Sequence, residues 1–217
     1  MKLLFSFAIV LLTLTSCLNE DLDSVTWEES AFEPISSLQP YEAVAPAYDF
    51  DYWELVWHAG EKGEEFVHFR NGSICKDAND PMQCSFQFYY MDRSGAGFDN
   101  GSKEPTSSYY FLRSNEQGYN KYWYTREELS VFLGAIDSKG DALLVAASNG
   151  YFFGKHDIKA SGIRKHQNGY QIICLKTVSN CAPLQINRVL VEVDQNARLT
   201  VLDEDVYLRE DQACNEH

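Results

Sequence analysis

The sequence predicts an α+β fold: an aromatic-rich antiparallel sheet, two short central helices and a C-terminal antiparallel β-meander. Three observations lead to this prediction. From Tyr52 onward, short runs alternate apolar with polar residues, and two helix-capping signals lie near the middle of the chain. Asn168-Gly169 separates two apolar runs, as a type I′ hairpin turn does. Hydrophobic residues make up 45% of the 217 residues, which is enough for a folded core.

The first half of the domain is interpreted as strands that carry many aromatic rings. A hairpin closed by Gly60 and Gly63 joins the first two runs. Residues 94–107, which include three glycines and Pro105, are expected to form a long loop, and loops of that length are often functional. The predicted strands cover residues 52–58, 65–70, 85–91, 109–113 and 121–124.

Two capped helices are predicted in the middle of the chain. Thr125 and Glu128 have the spacing of a capping box, in which the hydroxyl accepts from the Glu128 amide and the carboxylate reaches back. An apolar helical face follows. Ser138 is expected to begin a second helix that runs through residues 141–148. Each predicted helix is followed by a glycine, which favours termination there.

The remainder of the chain predicts a four-strand antiparallel meander. Its strands are expected over residues 158–166, 170–178, 184–193 and 198–208. Asn168-Gly169 joins the first two strands, and residues 194–197 join the last two. Valines at every second position from 189 to 193 alternate with Leu190 and Glu192, which predicts a largely buried central strand.

The N-terminus carries a basic start, an apolar run over residues 3–12, and Leu14-Thr15-Ser16-Cys17. The run is too short to cross a bilayer about 30 Å thick. This pattern resembles the lipobox of bacterial lipoproteins. The resemblance implies that residues 1–16 are a signal peptide, that the Cys17 sulfur receives a diacylglyceryl group, and that the Cys17 amine is then usually acylated, with palmitate as the expected acyl group. The expected location is the cell envelope. Leu18 does not resemble the Asp that retains many lipoproteins at the inner membrane, so the outer membrane is favoured.

Residues 17–51 are predicted to be an acidic, proline-containing tether, and residues 52–217 a globular domain with an internal sub-boundary near 125. Pro34, Pro40 and Pro46 disfavour helix in the tether. Apolar residues are unusual in a pure tether, which leaves open that part of it lies across the domain or folds onto a partner. These apolar residues are Trp27, Phe32, Ile35, Leu38 and Tyr41.

The cysteines other than Cys17 are expected to lie in an oxidising compartment, where an even number of them should form disulfides. Cys75 and Cys84 flank a turn-rich connection and are predicted to form one disulfide. Cys181 lies in a loop and Cys214 lies near the C-terminus, and we expect a second disulfide between them. Cys174 lies in an apolar strand and is predicted to be a free, buried thiol.

Charge and motifs exclude several classes of function. The net charge of −14 opposes binding to nucleic acid phosphates or anionic headgroups. No metalloprotease, serine-hydrolase or nucleotide-binding motif occurs, and no cofactor or metal site is predicted. Calcium in the 92–101 loop is a minor alternative.

In the first hairpin, His58 should oppose Glu65 and His68 should oppose Leu55, so the two histidines are not expected to form a ligand pair.

The sequence favours a lipid-anchored envelope protein that acts by binding or structural support rather than by catalysis. The membrane, through the lipid, and an envelope protein or glycan are the expected partners. Two alternatives remain open: an envelope hydrolase using carboxylates that the sequence does not identify, and an inhibitor or accessory subunit of an envelope complex. Ile136-Asp137, the helix with Ala142-Leu143-Leu144, and Gly150-Tyr151 followed by the cysteine-bearing meander resemble uncharacterised envelope proteins of Gram-negative bacteria. The resemblance covers about residues 129–214 and implies no activity. Most aromatic rings should lie in the core, while exposed ones would suit a sugar, peptide or protein partner. The candidate binding aromatics are Trp53, Trp57, Tyr89, Tyr109 and Trp123.

Overall fold

A computed structural model describes residues 27–35, 41–59, 64–90, 97–98, 109–154, 158–167 and 169–212. These residues form two antiparallel sheets and three α-helices, which confirms the α+β class. Signal residues 1–16, Cys17, Cys214 and most of the 92–107 region lie outside the described residues.

Sheet I has the strand order β3-β2-β4-β5, and sheet II has the order β1-β6-β7-β8-β9. The strands are β1 (Glu33–Pro34), β2 (Tyr52–Ala59), β3 (Glu64–Gly72), β4 (Tyr109–Glu116), β5 (Tyr119–Trp123), β6 (Gly162–His166), β7 (Gly169–Asn180), β8 (Leu184–Val193) and β9 (Leu199–Glu210). The helices are α1 (Pro81–Tyr90), α2 (Arg126–Leu133) and α3 (Lys139–Ser148). The C-terminal meander is therefore confirmed as β6 to β9.

The predicted capping box forms at Thr125 and Glu128, where α2 begins, and Ser138 caps α3 as predicted. Asp141 completes a second capping box with Ser138. Helix α3 is buried from Gly140 to Ser148, which explains why apolar residues surround it instead of forming a single stripe.

One hydrophobic cluster contains buried residues from both sheets and from α2 and α3. At its centre the Phe132 ring of α2 lies 5.6 Å from Trp53 and 5.3 Å from Trp123, both residues of sheet I. Val189 and Val191 of β8 face the same core from sheet II. The predicted burial of that strand is thus confirmed, and the core joins the two halves of the domain.

Residues 85–91 were predicted to be a strand, and this prediction is wrong because residues 81–90 form α1. The helix begins with an N-terminal signal: the Asp80 carboxylate accepts from the Gln83 amide at 3.0 Å, and Pro81 occupies the first turn. Cys84 and Phe88 are buried four residues apart, as the inner face of a helix requires. The alternation of Phe86, Phe88 and Tyr90 imitated a strand pattern.

The β2–β3 hairpin contains a β-bulge that the sequence did not reveal. His58 opposes Glu65 as predicted. The bulge between Leu55 and Val56 pairs Leu55 with Phe69, so the prediction that His68 opposes Leu55 is wrong by one residue. The two histidines are not a cross-strand pair.

The described part of the N-terminal segment packs on the domain. Trp27 and Phe32 are buried against Ile173 and Leu190 on the outer face of sheet II, and β1 pairs with β6. Residues 41–47 cross the start of α3 at close range. A side chain at position 140 would not fit there, because a Cβ atom added to Gly140 would lie 2.6 Å from the Ala43 backbone. The buried Asp141 carboxylate accepts from the Ala45 amide at 2.9 Å and secures this crossing.

Candidate functional site

Helix α1 covers the outer face of sheet I, the face opposite α2 and α3. The disulfide between Cys75 and Cys84 ties the helix to the loop that follows β3, which confirms that predicted pair. Phe88 is fully buried beneath the helix and contacts Tyr52 of β2 edge to face, with ring centroids 5.5 Å apart. The inner side of α1 is therefore part of the core.

A buried ion pair lies directly below α1. Glu54 of β2 and Arg113 of β4 are only 1% and 3% exposed, and they form a salt bridge. The Tyr52 hydroxyl donates to the second carboxylate oxygen of Glu54, and Arg113 Nη1 contacts Glu65 Oε2 at 3.2 Å. Both oxygens of Glu54 are thus engaged by partners on the same sheet.

The electrostatics of this pair follow from burial and charge. Burial is the largest single influence on Arg113 and would lower its pKa, but the charges of Glu54 and Glu65 and a hydrogen bond with Tyr122 together outweigh it, so the pKa is raised. Burial, together with the hydrogen bond to Glu54, raises the pKa of the Tyr52 hydroxyl. The guanidinium of Arg113 also lies over the rings of Phe88 and Tyr89, at 5.3 and 5.1 Å from their centroids. The Arg113 guanidinium therefore stays charged, and it links sheet I to two rings of α1.

The solvent side of α1 carries a group of exposed rings. Phe86 and Tyr90 are 63% and 74% exposed and stack on each other at 4.6 Å, one helical turn apart. Tyr89 is partly exposed beside them. Tyr119, at the start of β5, is 81% exposed. We call Phe86, Tyr89, Tyr90 and Tyr119 the aromatic surface.

A hollow of about 550 Å³ lies between α1 and the β4–β5 turn. Its lining consists of Phe86, Gln87, Tyr90, Gly118, Tyr119 and Asn120. None of these side chains carries an acidic or basic group, and α1 itself contains no Asp, Glu, Lys or Arg, although 23% of the chain is charged. An exposed, uncharged, ring-bearing surface of this kind is typical of an interaction site.

The turn that carries Tyr119 is held in place from two directions. Gln117 and Gly118 both have positive φ, at 49° and 82°, as a tight two-residue hairpin turn requires. Asp51 accepts from the Gln117 amide at 2.8 Å and pairs with Lys76 at 3.0 Å. These two contacts lower the pKa of Asp51.

Asn115, which is fully buried, connects the same parts of the molecule. Its side chain accepts from the Cys75 amide at 3.1 Å and donates to the Asn120 side chain at 2.7 Å. Asn120 in turn donates to the Cys84 carbonyl of α1. The two walls of the hollow are thus fixed relative to each other.

No protein-family model, no curated protein and no solved structure matches this chain. Within the described ranges, no three His, Cys, Asp or Glu side chains are grouped to hold a metal ion. Of the helices in the described parts of the chain, none is long and apolar enough to cross a membrane.

The candidate binding aromatics occupy three different environments. Trp53 and Trp123 are buried in the main core, and the indole N–H of Trp123 donates to Ser114. Trp57 and Tyr109 are half-buried, and Tyr109 stacks on His58 at 4.6 Å. Tyr89 belongs to the aromatic surface.

Sequence reasoning missed three members of the aromatic surface: Phe86, Tyr90 and Tyr119. The signal that could have identified the first two is the Asp80-Pro81 helix start, which turns residues 86 and 90 outward together. Tyr119 was assigned to a turn, but nothing in its sequence context predicts its position opposite α1.

The remaining cysteines are placed as follows. Cys181 also carries a disulfide bond. Its predicted partner, Cys214, lies outside the described residues, so that pairing stays a prediction. Cys174 is a free, fully buried thiol as predicted, and burial raises its pKa.

Proposed function

We propose that this chain is a lipid-anchored protein of the bacterial cell envelope that binds an envelope protein or glycan through the aromatic surface. The observation that carries the proposal is the group of exposed rings on α1 and the β4–β5 turn. Large rings are stabilised by burial, so a contiguous exposed group of them is best explained by a partner that covers it.

The positions and partners of the acidic residues Glu54 and Glu65 favour binding over catalysis. Glu54 and Glu65 converge on Arg113, beneath α1 and away from the hollow. Both oxygens of Glu54 already have partners, which suits a structural ion pair rather than a general acid or base. The hollow itself is lined by rings and amides, which suit recognition.

The envelope location is supported by two features of different kinds. The leader resembles a lipobox ending at Cys17. The Cys75–Cys84 disulfide belongs to an oxidising compartment such as the bacterial periplasm or cell surface. An acyl anchor at the outer membrane would hold the acidic domain close to a bilayer that its own charge does not attract.

A pull-down from solubilised membranes tests the binding function. The wild-type chain should retain a stoichiometric protein or glycan partner, and Phe86→Ser combined with Tyr119→Ser should lose it. Val131→Ser is the matched control, because it removes an exposed apolar side chain from α2, on another part of the surface. Equal retention by the wild type and the double variant would overturn the proposal.

Fractionation of a Cys17→Ser variant tests the anchor separately. We expect the variant to be released or to remain unprocessed, because the thiol that would receive the diacylglyceryl group is missing. If it fractionates with membranes and is processed like the wild type, the lipoprotein assignment fails.

A further inference from the structure

We infer that the hollow between α1 and the β4–β5 turn binds an uncharged carbohydrate chain, whose sugar rings lie against Phe86, Tyr90 and Tyr119. This inference rests on the proposed binding function and names the class of its ligand. It follows from the charge, the chemistry and the rigidity of the hollow.

Charge excludes the main alternatives to a neutral ligand. The six lining residues offer no cation to an anionic ligand and no carboxylate to a cationic one. A surface that docks on anionic lipid uses Lys or Arg beside its aromatic rings, and α1 has neither. The overall charge of −14 further opposes an anionic polymer or bilayer.

The lining of the hollow can contact both the apolar C–H face and the hydroxyl groups of a sugar. The C–H face of a sugar ring is apolar and carries a slight positive charge, and it packs on the negative face of an aromatic ring. Phe86 and Tyr90 stack on each other on one wall, so each ring keeps one face outside the stack, and Tyr119 stands on the other wall. The exposed Gln87 amide and the tyrosine hydroxyls supply donors and acceptors for sugar hydroxyls.

The volume and the rigidity of the hollow favour binding without rearrangement. A volume of about 550 Å³ is within the range of small-ligand sites, about 300–1,000 Å³. One wall is fixed by the Cys75–Cys84 disulfide, and the other by Asp51 at the Gln117 amide. Walls that are already in place lower the entropy cost of binding.

Calorimetric titration of the full-length, acylated protein tests this inference, in a detergent whose headgroup is not a sugar. The probes are short linear glucans, mannans and chitin fragments. Polygalacturonate and vesicles of phosphatidylethanolamine with phosphatidylglycerol represent the anionic alternatives. At least one neutral oligosaccharide should bind, and Phe86→Ala and Tyr119→Ala should each weaken it about tenfold or more. Val131→Ala should bind like the wild type.

The outcomes separate this inference from the proposed function. The inference is overturned if no neutral oligosaccharide binds, if only polygalacturonate or the vesicles bind, or if a neutral oligosaccharide binds equally to both ring variants. Phe86 and Tyr119 are exposed, so their replacement should leave the stability unchanged, and a denaturation curve for each variant verifies this. A surface-dependent pull-down without oligosaccharide binding would refute the ligand class alone. A pull-down that does not depend on the surface would refute the proposed function.

Discussion

The two sheets of this protein have their outer faces covered in opposite ways. On sheet II, the N-terminal segment inserts Trp27 and Phe32 against Ile173 and Leu190, with its rings facing inward. On sheet I, α1 inserts Phe88 but directs Phe86 and Tyr90 to solvent. One cover turns its rings into the protein, and the other also displays rings on its outside.

Charged residues form an outer rim on the first cover, whereas at the second they lie beneath the helix, in the buried Glu54–Arg113 pair. Arg188 lies over the Trp27 ring at 4.3 Å and forms salt bridges with Glu29 and Asp205, which gives the segment a polar rim. Helix α1 has no charged residue of its own. The difference teaches that a high aromatic content does not identify a binding site. A binding site is indicated where aromatic rings stay exposed on an element, such as α1, that is already held on the sheet by other residues.

The largest effect should distinguish the two sides of α1. Phe88→Ala removes a fully buried ring and should lower the free energy of unfolding by about 3–5 kcal/mol. Phe86→Ala, on the same helix, should change it by less than about 0.5 kcal/mol because the ring is exposed. Urea denaturation of both variants measures this contrast. Similar losses from the two variants would show that the helix has no separate inner and outer sides.

The cover of sheet II can be weakened at its buried tryptophan. Trp27→Ala removes a ring packed on Ile173 and Leu190, and it also removes the indole hydrogen bond to Asp203. We expect a loss of about 3 kcal/mol in urea denaturation and faster proteolysis near residue 30. Tyr48→Ala, which removes an exposed ring, is the control. If the two variants behave alike, the N-terminal segment does not seal the sheet.

The cover of sheet I depends on its disulfide. Replacing Cys75 and Cys84 together by Ala should lower the stability by about 2–3 kcal/mol, since a closed loop of this length restricts the unfolded chain. Hydrogen exchange should accelerate mainly in α1, while the amides of β8 stay protected. Uniform acceleration throughout the protein would instead indicate that α1 and the main core unfold as one unit.

The smallest effect concerns the turn that carries Tyr119, and it depends on pH. Hydrogen bonds from the Gln117 amide and Lys76 hold the pKa of Asp51 below its ordinary value of 3.8. A carboxylate with a lowered pKa in the folded state contributes stability above the unfolded pKa, and this contribution is lost as the pH falls through the folded pKa.

Asp51→Asn should therefore destabilise the protein at pH 7, and its difference from the wild type should diminish as the pH falls below about 4. Asp77→Asn removes the same charge from an exposed residue of the neighbouring loop and serves as the control. Denaturation curves across this pH range measure both variants. A pH-independent difference for Asp51→Asn would refute the role of its charge.

Local signals in the sequence were sufficient for the helices α2 and α3 and for the meander. The N-caps at Thr125 and Ser138 act within four residues, so their prediction needs no tertiary information. Helix α1 was missed because aromatic residues at positions 86, 88 and 90 alternate like a strand. The disulfide and the packing of Phe88 on sheet I overrode that pattern.

The candidate site depended on information that the sequence does not carry locally. The exposure of a ring is decided by the elements that pack beside it, so Trp53 and Trp123 lie in the core while Tyr119 is exposed. The bulge at Leu55 and Val56 changed the position of His68 relative to β2 without any glycine to signal it. The Glu54–Arg113 pair joins residues 59 positions apart, and no spacing rule predicts such a pair.

The central claim is that the aromatic surface is covered by a partner in the envelope, and hydroxyl-radical footprinting tests it most directly. Oxidation of Phe86, Tyr90 and Tyr119 is compared between intact envelopes and the purified, detergent-solubilised protein, with the exposed Tyr48 as the internal reference. We expect the three rings to be protected in envelopes while Tyr48 is oxidised equally in both preparations. Equal oxidation of all four rings in both preparations would contradict the claim.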